Sequence, residues 1–232
     1  GVAPSAAHAQ ENVKICFITH MSSLYADVDG KNGALAIQMA IDDFGGKLLG
    51  KPIELLSADH QNKADIAASK AREWIDTEGL SMLLGGTSSG AGLAMAKVAQ
   101  EKKRVYIVNG AGSSALTNEQ CSPYTVHYAY DTVALAKGTG AALVKSGNKD
   151  WYFLTADYAF GAALEADASK IVRENGGRVI GSVKHPLNAS DFSSFLLQAQ
   201  NSKAQILGLA NAGGDTINAI KAAKEFGINK TM

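Results

Sequence analysis

Short apolar runs with little polar alternation, each followed by a segment of helical spacing, recur along this chain and constrain its fold more than any other feature. Residues 13–19 (Val-Lys-Ile-Cys-Phe-Ile-Thr) read as a buried strand. From Gly33 the spacing turns helical, with Ile37, Ile41 and Phe44 on one stripe and Gly45-Gly46 ending it. Residues 52–59 give a second strand. Asn62 is expected to cap the next helix, whose buried face carries Ala67, Ala71 and Trp74 and which Gly79 stops. Strand 81–85, helix 92–102 and strand 104–108 continue the pattern. An extended aromatic stretch spans 124–130. The pattern then restarts with Asp131 capping a helix to about Ser146. Strand 151–155, helix 161–175, strands 179–184 and 205–209, and helix 215–226 with Ile217 and Ile220 on one stripe complete it.

Strands of this kind joined by helices form a parallel sheet covered on both faces. The fold class is α/β, with two doubly wound lobes: 10–127, a hinge at 128–131, and 132–232. Three strands are few for such a sheet, so the second lobe reads as incomplete and the chain as a fragment. In these sheets ligands bind beyond the carboxyl ends of the strands. There the chain places Leu84-Gly85-Gly86-Thr87 in lobe one and its echo, Leu209-Ala210-Asn211-Ala212-Gly213-Gly214, in lobe two.

Charge excludes some partners. The 22 basic and 22 acidic residues cancel, and no basic run is present, which argues against nucleic acid and anionic membranes. Residues 1–9 are small and aperiodic; Ala7-His8-Ala9 fits a signal-peptidase site, which predicts an exported protein starting at Gln10, and a disordered alanine-rich leader is the alternative. Cys16 reads as a core residue, and its pairing with Cys121 is left open. No Cys/His cluster has metal-ligand spacing, and no metal or other cofactor is expected.

The chemistry centres on Gly86-Thr87-Ser88-Ser89-Gly90, a turn opening a helix. Free N–H groups and hydroxyls at a helix N-terminus bind carboxylates or phosphates. The turn also spells G-x-S-x-G, so a serine hydrolase with Ser88, Asp157 and His185 in that order is an alternative, although no second oxyanion loop accompanies it. Gly110-Ala111-Gly112 and its sequel match a dinucleotide fingerprint, but a polar, proline-stopped stretch follows where a helix should open. The remaining reading is non-covalent capture. Ser88, Ser89 and the backbone of Gly110, Ala111 and Gly112 hold a carboxylate, Tyr25, Tyr158 and Phe160 form an aromatic lid, and Asn211 joins them from the echoing turn. The commoner fate of such residues is simply tight turns and helix caps.

Several stretches in this order resemble the type I periplasmic solute-binding proteins of the leucine/isoleucine/valine-binding group. They are Met21-Ser22-Ser23-Leu24-Tyr25, Asn32-Gly33-Ala34, the aspartate ending Leu55-Leu56-Ser57-Ala58-Asp59, the turns at 85–89 and Gly110-Ala111, and Asp157-Tyr158-Ala159-Phe160-Gly161. The resemblance, which runs from about residue 12 to the end, implies a periplasmic component of an ABC importer, without catalysis. Lobe one would hold a ligand carboxylate through Ser88, Ser89 and Ala111. Phe160 would stand where the family has its aromatic lid. The closed, monomeric form would dock on a membrane permease. A ligand-sensing domain of a receptor or regulator is the further alternative.

The chain departs from the amino-acid binders at Gly112, where they often carry threonine, and lacks their cysteine pair near 59 and 87. Their acidic partner for the ligand ammonium falls beyond Met232. Relatives with the Asp-Tyr-Ala-Phe-Gly run also bind aromatic carboxylates, so an amino acid and an aromatic acid are both expected ligand classes.

Overall fold

A computed structural model describes residues 12–22 and 24–232. The leader assigned to 1–9 and the start at Gln10 lie outside the described residues. The first lobe contains β1 (Val13–Thr19), α1 (Gly30–Asp43), β2 (Lys47–Leu48), β3 (Lys51–Asp59), α2 (Ala64–Glu78), β4 (Met82–Gly85), α3 (Ser89–Lys102), β5 (Val105–Val108) and β6 (Thr125–His127). Its sheet order is β2-β3-β1-β4-β5-β6, parallel except for β2, which forms a short antiparallel ribbon with β3. The second lobe contains α4 (Thr132–Lys145), β7 (Asp150–Ala156), α5 (Ala159–Glu174), β8 (Arg178–His185), α6 (Ser193–Asn201), β9 (Ile206–Ala210) and α7 (Gly213–Glu225). Its sheet is parallel, in the order β8-β7-β9.

Packing explains why these segments adopt these elements. Cys16, Ile18 and Leu83 of the first sheet bury against Ala67, Ala71 and Ile75 of α2 and Met95, Val98 and Ala99 of α3. The alanines let both helices approach closely. In the second lobe Trp151 and Phe153 meet Ala136, Val144 and Ile171 on one face. Leu154 meets Phe192, Leu196 and Ala219 on the other. Burying one such leucine contributes about 1.5–3 kcal/mol.

The helix stops at Gly45-Gly46 and Gly79 have positive φ, as turn-forming glycines do, and Asp131 caps α4 through Ala134 N–H at 2.7 Å. Other expectations fail. Phe44 is 64% exposed at the C-cap of α1, past the last turn that faces the sheet. Asn62 sits in the left-handed region at φ 57°, bonded to the His60 ring, so Lys63 takes the N-cap position without a side-chain bond. Ile217 and Ile220 point outward, while Ala219 is the buried position of α7. No element is expected over 193–201 from the sequence. Phe192, Leu196 and Ala199 have helical spacing there, and α6 packs on them. The aromatic stretch contributes β6 to the first sheet. Both cysteines are free, Cys16 buried in β1 and Cys121 exposed, so no disulfide joins them.

Each sheet has one topological switch point. The chain goes from β1 to β3 on one side and crosses to β4 on the other. In the second lobe it goes from β7 to β8, then crosses to β9. The crevices therefore open after β1 and β4, and after β7 and β9.

Candidate functional site

The loops at these two switch points face each other across a cavity of about 230 Å³. Lobe one lines it with Tyr25, Val28 and Thr87, and lobe two with Tyr158, Phe160, Ala212 and Gly213. Tyr130, from the segment joining the lobes, completes the wall. Four aromatic rings thus surround a small space beside the Gly/Ser turn.

Tyr25 is placed by an aspartate on the neighbouring strand. Asp59, at the end of β3, accepts the N–H of Met21 at 3.1 Å, the hydroxyl of Ser22 at 2.6 Å and the N–H of Gln61 at 2.8 Å. Burial raises its pKa, but these bonds outweigh burial and hold the carboxyl below its ordinary range. The loop after β1 is thereby fixed. Tyr25 stacks on Tyr158 with ring centroids 6.2 Å apart, and the two hydroxyls share a short hydrogen bond across the cleft. Burial pushes the Tyr25 hydroxyl up to about 12 and raises Tyr158 further, so both are neutral donors and acceptors near neutral pH.

Part of the anion cradle already holds a resident carboxylate. Asp29 accepts Thr87 N–H at 2.9 Å and Thr19 hydroxyl at 2.9 Å through Oδ2, and Gly30 N–H at 2.7 Å and Thr87 hydroxyl at 3.2 Å through Oδ1. It caps α1 and takes the Thr87 N–H of the turn after β4. Further along the turn, the N–H groups of Ser89 and Gly90 donate to no protein acceptor among the described residues. Ser88 Oγ accepts Ala91 N–H at 3.4 Å and Ser89 Oγ accepts Ser113 N–H at 3.1 Å, which leaves both hydroxyl protons free to donate.

The second turn lies against the first. A Cβ at Gly110 would come within 2.8 Å of Gly86 carbonyl carbon, so only glycine permits this approach. Ala111 accepts from His127 Nε2 at 2.7 Å through its carbonyl, and its N–H is unpaired among the described residues. A Cβ at Gly112 would stand 2.8 Å from Tyr130 and 3.1 Å from Phe160. Aromatic surface from both sides thus closes directly on Gly112.

Of the site candidates, Tyr25, Tyr158 and Phe160 line the cavity, whereas Ser88, Ser89, Gly110, Ala111, Gly112 and Asn211 do not. Asn211 is held elsewhere. Its amide donates to His185 Nε2 at 3.1 Å, and its carbonyl oxygen accepts Thr216 hydroxyl at 2.7 Å. This chain of bonds shapes the turn, while Ala212 and Gly213 face the space. The hydrolase alternative fails on the same contacts. His185 is buried with Nδ1 on Pro186 carbonyl at 2.9 Å, Asp157 pairs with Lys184 at 3.1 Å, and neither meets Ser88. The dinucleotide fingerprint fails too, because a 3₁₀ turn at Ser114–Leu116 follows Gly112 in place of a helix. No group of three or more His, Cys, Asp or Glu residues among the described residues could hold a metal.

Sequence reasoning missed Asp29, Thr87 and Tyr130. An aspartate directly before a helical run is a legible cap signal. Tyr130 gave none, since its role depends on the path between the lobes.

Two doubly wound lobes closing on a small aromatic cavity define a cleft-binding protein. Residues 12–232 match the periplasmic binding protein family, and the chain belongs to it. It is 26% identical over 233 residues to a Leu/Ile/Val-binding protein homolog of Brucella melitensis, covering 99% of this chain and 58% of that protein. A crystal structure of a periplasmic binding protein from Burkholderia mallei superposes with a TM-score of 0.94 at 72% identity, covering 96% of this chain and 59% of that one. A solute-binding protein of an ABC transporter from Rhodopseudomonas palustris, in complex with 3,4-dihydroxybenzoic acid, gives a TM-score of 0.83 at 29% identity, covering 95% and 60%. The chain therefore spans about 59% of the length of such relatives. Family members are solute-binding proteins. Among the described residues no helix is long and apolar enough to cross a membrane.

Proposed function

We propose that this chain is the exported solute-binding component of an ABC importer, and that it captures a small aromatic carboxylate between lobes 10–127 and 132–232. The carrying observation is a cavity of four aromatic rings that Thr87 also lines, next in sequence to a turn whose Ser89 and Gly90 N–H groups, like that of Ala111, are unbonded among the described residues. The carboxylate takes these donors and the Ser88 and Ser89 hydroxyls. Hydrogen bonds to a charged acceptor contribute about 1.5–3 kcal/mol each. The ligand ring lies between Tyr25, Tyr130, Tyr158 and Phe160, where offset or edge contacts add about 0.5–1.5 kcal/mol per pair. The lobes turn about 128–131, and the closed monomer docks on a membrane permease. The complex of the Rhodopseudomonas relative supports this ligand class. An aliphatic amino acid is the second class, supported by the name of the Brucella relative.

A thermal-shift panel on the full-length protein, comparing benzoate and hydroxybenzoates with leucine, isoleucine and valine, tests the assignment. Aromatic acids are expected to raise Tm by several degrees at millimolar concentration, following mass action. A shift with the aliphatic amino acids alone would move the assignment to the second class, and no shift with either set would contradict solute capture.

A further inference from the structure

Besides the Tyr25–Tyr158 pair, a cluster of two hydroxyls and one carboxylate joins the lobes. Asp167 Oδ2, on α5, accepts the Ser114 hydroxyl at 2.8 Å and the Thr132 hydroxyl at 2.6 Å. The Thr132 hydroxyl oxygen in turn accepts Ser114 N–H at 3.1 Å, and Thr132 N–H donates to Gly112 carbonyl at 2.9 Å. Ser114 and Gly112 belong to lobe one, whereas Thr132 opens α4 and Asp167 lies within α5, both in lobe two. Except for the bond between Thr132 and Asp167, each of these contacts therefore crosses from one lobe to the other.

Thr132 and Ser114 are both buried. A buried donor left without its acceptor is costly, so each member of the cluster pins the others. Asp167 makes no ion pair among the described residues, so these hydroxyls, not a cation, occupy its carboxylate. The cluster continues into the candidate site. Ser113 N–H donates to Ser89 Oγ at 3.1 Å, and Ala111 carbonyl accepts from His127 Nε2 at 2.7 Å. Residues 111–114 are thus held from lobe one at Ala111 and Ser113, and from lobe two at Gly112 and Ser114.

We propose that Asp167 is a positioning residue for the turn at Gly110-Ala111-Gly112: acting from lobe two through Ser114 and Thr132, it fixes residues 110–114 and with them the Ala111 N–H. Thr132 follows the connection at 128–131 directly, so the cluster lies where rotation of the lobes displaces atoms least. Its bonds persist when the cleft opens, and the turn keeps its place while Tyr25 and Tyr158 part. That the turn holds a carboxylate rests on the solute-binding reading; the anchoring of the turn does not.

Hydrogen exchange followed by mass spectrometry on the full-length protein, without solute, tests the anchoring. Asp167→Ala is expected to speed exchange in peptides covering 110–118 at least about tenfold, while peptides from β1 and β8 keep wild-type rates. Both hydroxyls use the same carboxylate oxygen, so the amide oxygen of Asp167→Asn can accept them and should restore slow exchange. Ser114→Ala leaves α5 untouched and should reproduce the local rise. Wild-type exchange over 110–118 in both alanine variants overturns the proposal, as does an equal rise in all peptides, which would assign Asp167 to general stability. In a wild type that binds 4-hydroxybenzoate, Asp167→Ala should lower that affinity about tenfold and Asp167→Asn should keep it; unchanged affinity in Asp167→Ala also overturns the positioning role. A wild type that does not bind this acid counts against the solute reading alone, and the exchange rates still decide the anchoring.

Discussion

Tyr25, from the loop after the first strand of lobe one, is hydrogen-bonded through its hydroxyl to the hydroxyl of Tyr158 of lobe two, and their rings stack 6.2 Å apart. The pair spans the cleft at the rim of the aromatic cavity. It ties the geometry of lobe one's loop directly to closure, because Asp59 holds that loop through three hydrogen bonds.

Tyr25→Phe and Tyr158→Phe should each weaken solute binding by about five- to tenfold, since each leaves one half-buried hydroxyl without its partner. The double variant should lose less than the sum, with a coupling of about 1 kcal/mol. Calorimetry on the four proteins measures the cycle. Strict additivity would mean that the hydroxyl pair does not stabilise the closed state.

Gly213 combines φ +59° with a Cβ position 3.0 Å from Leu24 carbonyl oxygen and 3.1 Å from the Tyr25 ring. Gly213→Val should hold the lobes apart and reduce affinity at least about tenfold, with a smaller backbone penalty of about 1–2 kcal/mol on stability. Small-angle scattering checks this. The variant should keep an open-state radius when solute is added, whereas a wild-type contraction would refute the steric account.

Asp29 gathers four donors from three segments of lobe one, and their loss should be felt in stability. Asp29→Ala is expected to destabilise the fold by about 2–4 kcal/mol, because the Thr19, Thr87 and Gly30 groups lose their acceptor. Urea denaturation reads the change. A loss below about 0.5 kcal/mol would show that water replaces the carboxylate without cost.

Acid sensitivity should come from the histidines at the ends of β1 and β3. Burial, reinforced by His20 and opposed by Asp59 and Asp29, lowers His60 from 6.5 to about 4, and burial lowers His20 as well. Between pH 6.5 and about 4 the unfolded chain binds more protons than the folded one. Stability therefore falls as pH drops through that window, by roughly 3 kcal/mol for His60 alone. The Asp59 carboxyl, held below 3.8, loses its contribution only at lower pH. Thermal melts from pH 7 to 4 should show a steep decline in wild type and a shallower one in His60→Gln. Parallel curves would assign the acid sensitivity to other groups.

How much of this was legible in the sequence follows from what each feature depends on. Runs such as 13–19 announced their strands because burial on both faces removes alternation. Asp131 announced its helix because a cap acts within one turn. The Gly/Ser turn stood out because tight turns demand particular residues. Asn62 misled because a left-handed residue and a cap draw on the same side chains, and the His60 ring, which decided between them, is a tertiary neighbour. Phe44, Ile217 and Ile220 misled because a stripe says where apolar residues line up, not whether a partner covers them. Tyr25, Tyr158 and Phe160, expected together from their positions after strands, do line one cavity. Asp29 and Tyr130 were missed because one acts through a turn 58 residues away and the other through the path between lobes.

The central claim is that the turns at Ser88-Ser89 and Ala111 hold a solute carboxylate beneath the aromatic rings. A crystal structure of the full-length protein with a bound hydroxybenzoate tests it most directly. Carboxylate oxygens are expected at about 2.6–3.2 Å from the Ser88 and Ser89 hydroxyls and the Ala111 N–H, with the ring against Tyr25, Tyr158 and Phe160. A solute bound with its carboxylate directed away from these turns, or outside the cavity, would contradict it.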